Sequence, residues 1–217
     1  MGNAKLNKRN ATILLLLVAV AAVGGLKYFL ESSRGGVGKG VASRSKVKPS
    51  APIKIVEYMD FQCPACAKGA EYLKSCFVKY PDKFYLQMKQ YPLGMHRHAM
   101  QSARYAHCAA QQGKFWPFHD ALVERQKQWE SLISADSVFR QFAQEAMVDM
   151  KQLDVCLQNE RTNTEILEEK EKGASLGVKS TPSYFVNGKM VVGFKSLAVE
   201  LGALSGQGDG SELVCSQ

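Results

Sequence analysis

No G-x-S-x-G elbow, no Rossmann glycine pattern and no strand-preceded Walker loop occurs in the 217 residues. Serine-hydrolase, dinucleotide and P-loop chemistry therefore lack their signatures. GGVGKG at residues 35–40 imitates a phosphate loop only faintly, because no strand precedes it. No internal repeat is present. A second Cys-x-x-Cys is missing too, and the cysteines other than Cys63 and Cys66 are scattered singly. A structural zinc needs four ligands, so this spacing alone does not build one. Acidic residues are nearly absent from the first fifty positions, which hold nine of the 28 Lys and Arg and one of the 20 Asp and Glu. The remaining 19 charges of each sign cancel, so the net charge of +8 belongs to the N-terminal segment. That distribution argues against a nucleic-acid surface on the rest of the chain.

What is there begins with a basic leader, residues 1–10, carrying Lys5, Lys8 and Arg9. Residues 11–30 contain the uninterrupted apolar run ATILLLLVAVAAVGGL, followed by Lys27 and YFL. A basic leader and such a run form a signal-type segment, expected to be an uncleaved anchor, with a cleaved signal peptide as the alternative. Residues 31–50 are rich in Gly, Ser and Lys and read as a flexible basic linker. Six basic residues follow the apolar run and three precede it, which by the positive-inside rule alone would keep the domain cytoplasmic. The short basic leader and an even count of six cysteines point to the extracytoplasmic side instead.

From residue 51 to 206 the pattern is that of one domain that 46% hydrophobic composition can fold without disulfides. PIKIVEYMDF is β-type, Pro64 sits where a first helical turn accepts it, and the helix runs on to Pro81. KFYLQMKQYPL, residues 83–93, is a second strand, giving a βαβ unit. Residues 95–172 read as a helical insertion, starting with a small-residue face at Ala99, Ala103, Ala106 and Ala110 and continuing through KFWPFHDALVERQKQW, 134–146 and 149–172. Phe115 and Trp116 are expected to lock this block onto the sheet. SYFV and KMVVGF are strands joined by Asn187-Gly188, a strong hairpin signal, and a final helix follows. Residues 207–217 form a polar C-terminal tail, expected to be mobile.

The pair Cys63 and Cys66 sits at the mouth of the first helix. Unpaired amides and the positive end of the dipole favour a thiolate at Cys63. Cys66, one turn along, is placed to resolve a mixed disulfide at Cys63. Closing so small a loop removes little chain entropy, so a stapling role is poor use of the motif. A metal-handling site using Cys63, Cys66 and His96 or His98 remains an alternative, as does a redox-inactive binding module. No cofactor or bound metal is expected.

EYMDFQCPAC, QGKFWPFHDALVERQ and GVKSTPSYFVNGK together resemble the DsbA-like thiol–disulfide oxidoreductases, in particular their membrane-anchored and DsbG-related bacterial branch. The resemblance runs from about Pro49 to Gly206. It implies a thioredoxin-like α/β fold with the helical insertion between the βαβ unit and the C-terminal ββα unit. It implies that Glu57 is the buried acid that exchanges protons with the resolving cysteine. Thr181 and Pro182 would form the cis-proline loop whose backbone pairs with substrate, with Pro64 and Ala65 also against substrate. A disulfide between Cys108 and Cys156 is a further implication, with two buried thiols as the other possibility. Cys76 and Cys215 are left without a partner. Ala65 has no side-chain donor for the thiolate, so the site is expected to be less oxidising than the extreme of the family. Oxidase, isomerase and reductase stay open, in that order. Partners would be unfolded or cysteine-containing exported proteins and a membrane redox partner. The location would be the cytoplasmic membrane facing the periplasm, or the periplasm itself after cleavage. A monomer is expected.

Overall fold

In the computed structural model the chain divides into two units, residues 1–39 and 40–217. The structure describes residues 44–46, 50–205 and 215, all in the second unit. The expected leader and anchor, residues 1–30, and most of the linker and tail lie outside the described residues. Among those described, no helix is long and apolar enough to cross a membrane.

A five-stranded sheet is ordered β1-β3-β2-β4-β5. Its strands are β1 (Ser45–Lys46), β2 (Ile53–Met59), β3 (Phe84–Gln90), β4 (Ser183–Val186) and β5 (Lys189–Val192). The first long helix, α1 (Pro64–Lys79), connects β2 to β3. Those two strands are parallel, with Ile53 opposite Phe84 and Met59 opposite Gln90. All other pairings are antiparallel. The β4–β5 turn uses Asn187 and Gly188, both at positive φ, 47° and 89°, as a tight hairpin turn requires.

Between β3 and β4 stand five α-helices and one 3-10 turn, Gln126–Gln128. The α-helices are α2 (Ala99–Gln111), α3 (Phe115–Glu124), α4 (Asp136–Glu145), α5 (Met150–Gln158) and α6 (Glu160–Ser175), and α7 (Phe194–Ser205) closes the chain order. The stretch expected as one helix from 149 to 172 is two. Asp149 caps α5 by accepting from the amides of Lys151 and Gln152, and Asn159 ends α5 and caps α6 by accepting from Arg161.

Strand alternation places Ile53, Ile55, Glu57 and Met59 on the face of β2 towards α1, and Val56 and Tyr58 on the other. One core joins Ile53, Ile55, Phe84 and Leu86 to Tyr72, Leu73 and Leu201. A second holds Met59, Phe61, Cys63 and Cys66 against Phe115, Phe118, Trp129 and Phe139. The insertion is therefore not an appendage; it supplies the wall against which the cysteine motif packs.

Two expectations are corrected. The linker was expected to run to residue 50, but Ser45 and Lys46 form an edge strand on β3. Arg44 there is 3% exposed and makes a bidentate pair with Glu169, at 2.6 and 2.7 Å. Trp116 Nε1 donates to the Ser45 carbonyl at 3.2 Å, so Trp116 secures this edge as well. Cys76 and Cys215, left without partners, are disulfide-bonded to each other, with Cα atoms 4.9 Å apart. Cys215 is buried, so this point of the tail is held against α1. Cys108 and Cys156 form the other disulfide, joining α2 to α5.

Candidate active site

The site is built where β2 ends. Asp60 follows the strand, is 2% exposed, and organises the turn into α1. Its Oδ1 accepts from the Gln62 amide at 2.7 Å, and its Oδ2 from the Leu93 amide and His96 Nδ1, both at 2.8 Å. Cys63 is the N-cap of α1, with extended φ and ψ of −74° and 119°, and Pro64 takes the first helical position. No side chain caps this terminus.

Two glutamines clamp the motif to the insertion. Gln126 Nε2 donates to the carbonyls of Phe61 and Cys63, at 2.7 and 3.1 Å. Gln62 donates to the Glu130 carbonyl at 2.7 Å and accepts from the His98 amide at 2.6 Å. Both lie in stretches that carry the family resemblance, Gln62 in EYMDFQCPAC and Gln126 at the end of QGKFWPFHDALVERQ, but no local pattern marks either as a clamp. His96 and His98 thus serve the loops around the motif: His98 Nε2 bonds the Leu132 carbonyl at 2.8 Å.

Cys63 and Cys66 are both free thiols, the described cysteines outside the two disulfides. Their environments drive them apart. Cys63 is pulled down to about 5, chiefly by the hydrogen bond from the Cys66 thiol, with help from the amides of Cys66 and Ala65, against the opposing push of burial. Cys66, fully buried, is pushed well above the ordinary thiol value by desolvation and by the neighbouring Cys63. One sulfur is a thiolate at neutral pH and the other holds its proton.

Thr181–Pro182 is a cis peptide, and its Thr181 carbonyl lies 3.4 Å from Cys63 Sγ, accepting from it when Cys63 is in the thiol form. The buried Thr181 hydroxyl oxygen has no hydrogen-bond partner of its own. Pro64 is exposed and Ala65 half-buried beside them. Glu57 faces α1 from β2 and is 1% exposed. Burial raises its carboxyl to about 8, outweighing a smaller downward pull from the Tyr184 hydroxyl of the cross-strand neighbour. Neither Glu57 Oε1 nor that hydroxyl reaches hydrogen-bonding geometry with a partner. The acid is therefore protonated at pH 7 and lies close enough to Cys66 to affect its charge.

The sequence profile of the thioredoxin family matches residues 47–199. The chain belongs to the thioredoxin family. Within that family, Wolbachia pipientis alpha-DsbA1 superposes with a TM-score of 0.65 at 19% identity, over 75% of this chain and 88% of that one. That likeness establishes the shared fold, including the helical insertion. The probable disulfide bond formation protein D of Bacillus anthracis is 26% identical over 149 residues, 66% of this chain and 69% of that protein. A Na(+)/H(+) antiporter NhaA 3 of Salinispora tropica is 31% identical over 140 residues. The match covers 64% of this chain and about a fifth of the antiporter (21%). The domain is thus a thioredoxin-family fold carrying a helical insertion like that of the DsbA-like structures.

Proposed function

We propose that the protein is an extracytoplasmic oxidase that passes the Cys63–Cys66 disulfide to cysteine-containing exported proteins. The observation that carries this reading is the opposite displacement of the two thiols. A thiolate stabilised at Cys63 favours the reduced form of the pair, which makes the disulfide a willing donor. In the step itself a substrate thiolate attacks Cys63 Sγ. The Cys63–Cys66 bond breaks, a mixed disulfide forms at Cys63, and the electron pair goes to Cys66. Glu57, protonated beside it, gives its proton to the departing Cys66 thiolate. A second substrate thiolate then attacks the substrate's own sulfur in the mixed disulfide, and Cys63 leaves as its stable thiolate. The Thr181 backbone at Pro182 docks the substrate chain as an added strand, with Pro64 and Ala65 alongside. A membrane redox partner would return the pair to the disulfide. Placement outside the cytoplasm rests on the signal-type segment at residues 11–30 and on the disulfide-rich domain that follows.

The test is the reduction potential of the pair, by equilibration with glutathione, thiol trapping and mass spectrometry. A value of about −120 to −180 mV is expected of a disulfide donor. A value near about −270 mV would make the protein a reductase. Ala65, which offers the thiolate no side-chain donor, favours the weaker, isomerase-like end of the donor range.

A further inference from the structure

Acidic residues are missing from two long stretches of the chain, 83–119 and 172–199, which between them hold nine Lys and Arg. Both stretches pass beside the cysteine motif. The first contains the loop from β3 to α2. Its His96 bonds Asp60 at 2.8 Å, and its His98 amide donates at 2.6 Å to Gln62 Oε1, on the residue before Cys63. Arg97 stands exposed between those two ties. The second stretch contains the cis-proline loop. Its Thr181 carbonyl lies 3.4 Å from Cys63 Sγ, and Lys179 is exposed two residues earlier. The Pro182 carbonyl accepts from the Gly193 amide at 2.9 Å, which brings the first turn of α7, with exposed Lys195, to the same end of the sheet.

Among the described residues, Arg97, Lys179 and Lys195 make no ion pair. The acids around the motif are already matched. The Asp60 side chain is sealed from solvent and faces three donors. Glu130, whose carbonyl holds Gln62, puts its carboxylate 2.7 Å from Lys127. Glu57 is buried and protonated. On α1 the exposed Lys68 and Glu71 are of opposite sign and offset each other. The mouth of the site therefore presents three unmatched positive charges, on three segments that meet only in the fold. Such a field attracts anionic segments and raises their rate of encounter.

We propose that the preferred substrates of this site are cysteine segments flanked by aspartate or glutamate, and that Arg97, Lys179 and Lys195 select them. The proposal rests on the reading of Cys63–Cys66 as a pair that exchanges disulfides with other proteins. Acidic neighbours disfavour the thiolate of a substrate cysteine, and the thiolate is the form that attacks Cys63. Docked against the three cations, the same segment has its carboxylates matched and its thiolate restored. The rim thus favours both the arrival and the reaction of substrates that are intrinsically slow. A lysine-flanked segment meets repulsion instead.

The full-length protein, oxidised at Cys63 and Cys66, is mixed with three peptides that differ only in flanking their single cysteine with glutamate, glutamine or lysine. Loss of the Cys63–Cys66 disulfide is followed by acid quench and mass spectrometry. Each rate is divided by that of the same peptide with the uncharged hydroxyethyl disulfide, which removes differences between the peptide thiols themselves. In low salt the glutamate peptide is expected to exceed the lysine peptide by on the order of tenfold, and the ratio should fall towards one in about 0.5 M salt. Arg97→Glu combined with Lys179→Glu should reverse the order. Lys83→Glu brings the same kind of charge change at the other end of β3, where Phe84 faces Ile53, and should keep the order. A ratio near one in low salt, a preference for lysine, or an equal loss in Lys83→Glu overturns the selection, while oxidation of the peptides upholds the reading of the pair. If no peptide is oxidised, that reading falls and takes this one with it. Should the double reversal not fold, Arg97→Gln and Lys179→Gln made singly should each shrink the ratio by roughly two- to threefold, as exposed ion pairs allow. An unchanged ratio in both overturns the proposal.

Discussion

Cys63 owes its low value first to one neighbour, the Cys66 thiol, and only then to the helix amides. Removing that thiol is therefore the sharpest test at the residue scale. Cys66→Ala is expected to raise the thiolate midpoint of Cys63 from about 5 towards the ordinary thiol value, read from absorbance near 240 nm, and Cys66→Ser should raise it less because a hydroxyl still donates. Glu57 carries a different signature. Its native value of about 8 lies above the ordinary 4.5, so the folded protein holds a proton that the unfolded chain has lost between those two values. The stability this confers is complete below pH 4.5 and is lost as pH rises through about 8. Glu57→Gln has the same shape and no charge to bury. Urea unfolding of the reduced forms at pH 5 and pH 9 should show the wild type losing on the order of a few kcal/mol more than the variant across that interval.

At the scale of elements, the Tyr184 side chain of β4 reaches across to Gly69 on α1. A Cβ placed on Gly69 would meet the Tyr184 hydroxyl oxygen at 2.2 Å and its ring carbon at 3.5 Å. The hydroxyl makes no hydrogen bond, so its bulk is what matters here. Glycine in mid-helix is otherwise unfavourable by roughly 1 kcal/mol relative to alanine. Gly69→Ala alone should cost about 1–3 kcal/mol through overpacking. In the background of Tyr184→Phe the clash disappears, the remaining contact is an ordinary one, and the same substitution should be neutral or stabilising. A double-mutant cycle by denaturant unfolding measures this coupling directly.

For the whole molecule, three ties hold distant parts of the chain to the site. Arg44 and Glu169 fix the entering strand to α6, and Cys108–Cys156 closes the insertion. Cys76–Cys215 spans 139 residues and fastens the end of the chain to the helix that carries Cys63. A cross-link over so long a loop acts mainly on the unfolded ensemble. Replacing both Cys76 and Cys215 by Ser should lower the unfolding free energy by about 3–5 kcal/mol, checked by urea titration with Cys63 and Cys66 kept reduced.

Periodicity and punctuation in the sequence determined the order of elements: the βαβ start, the helical block, the Asn187-Gly188 hairpin and the Cys63–Cys66 pair at a helix mouth. These are local signals, carried by residues within a turn or a strand of one another. Asn159 restarting a helix within 149–172 was legible in principle, since asparagine is a strong N-cap. Other features depend on residues that meet only after folding. Which face Glu57 takes follows from the register of β2 with β3 and β4, and its charge state follows from the burial that register imposes. The clamps of Gln62 and Gln126, the Cys76–Cys215 bond and the strand at Ser45 join positions 36 to 139 residues apart. No pattern along the chain encodes such a meeting. The same holds for the mouth of the site: the acid-free stretches that carry Arg97, Lys179 and Lys195 were written in the sequence, but only packing brought them round one pair of thiols.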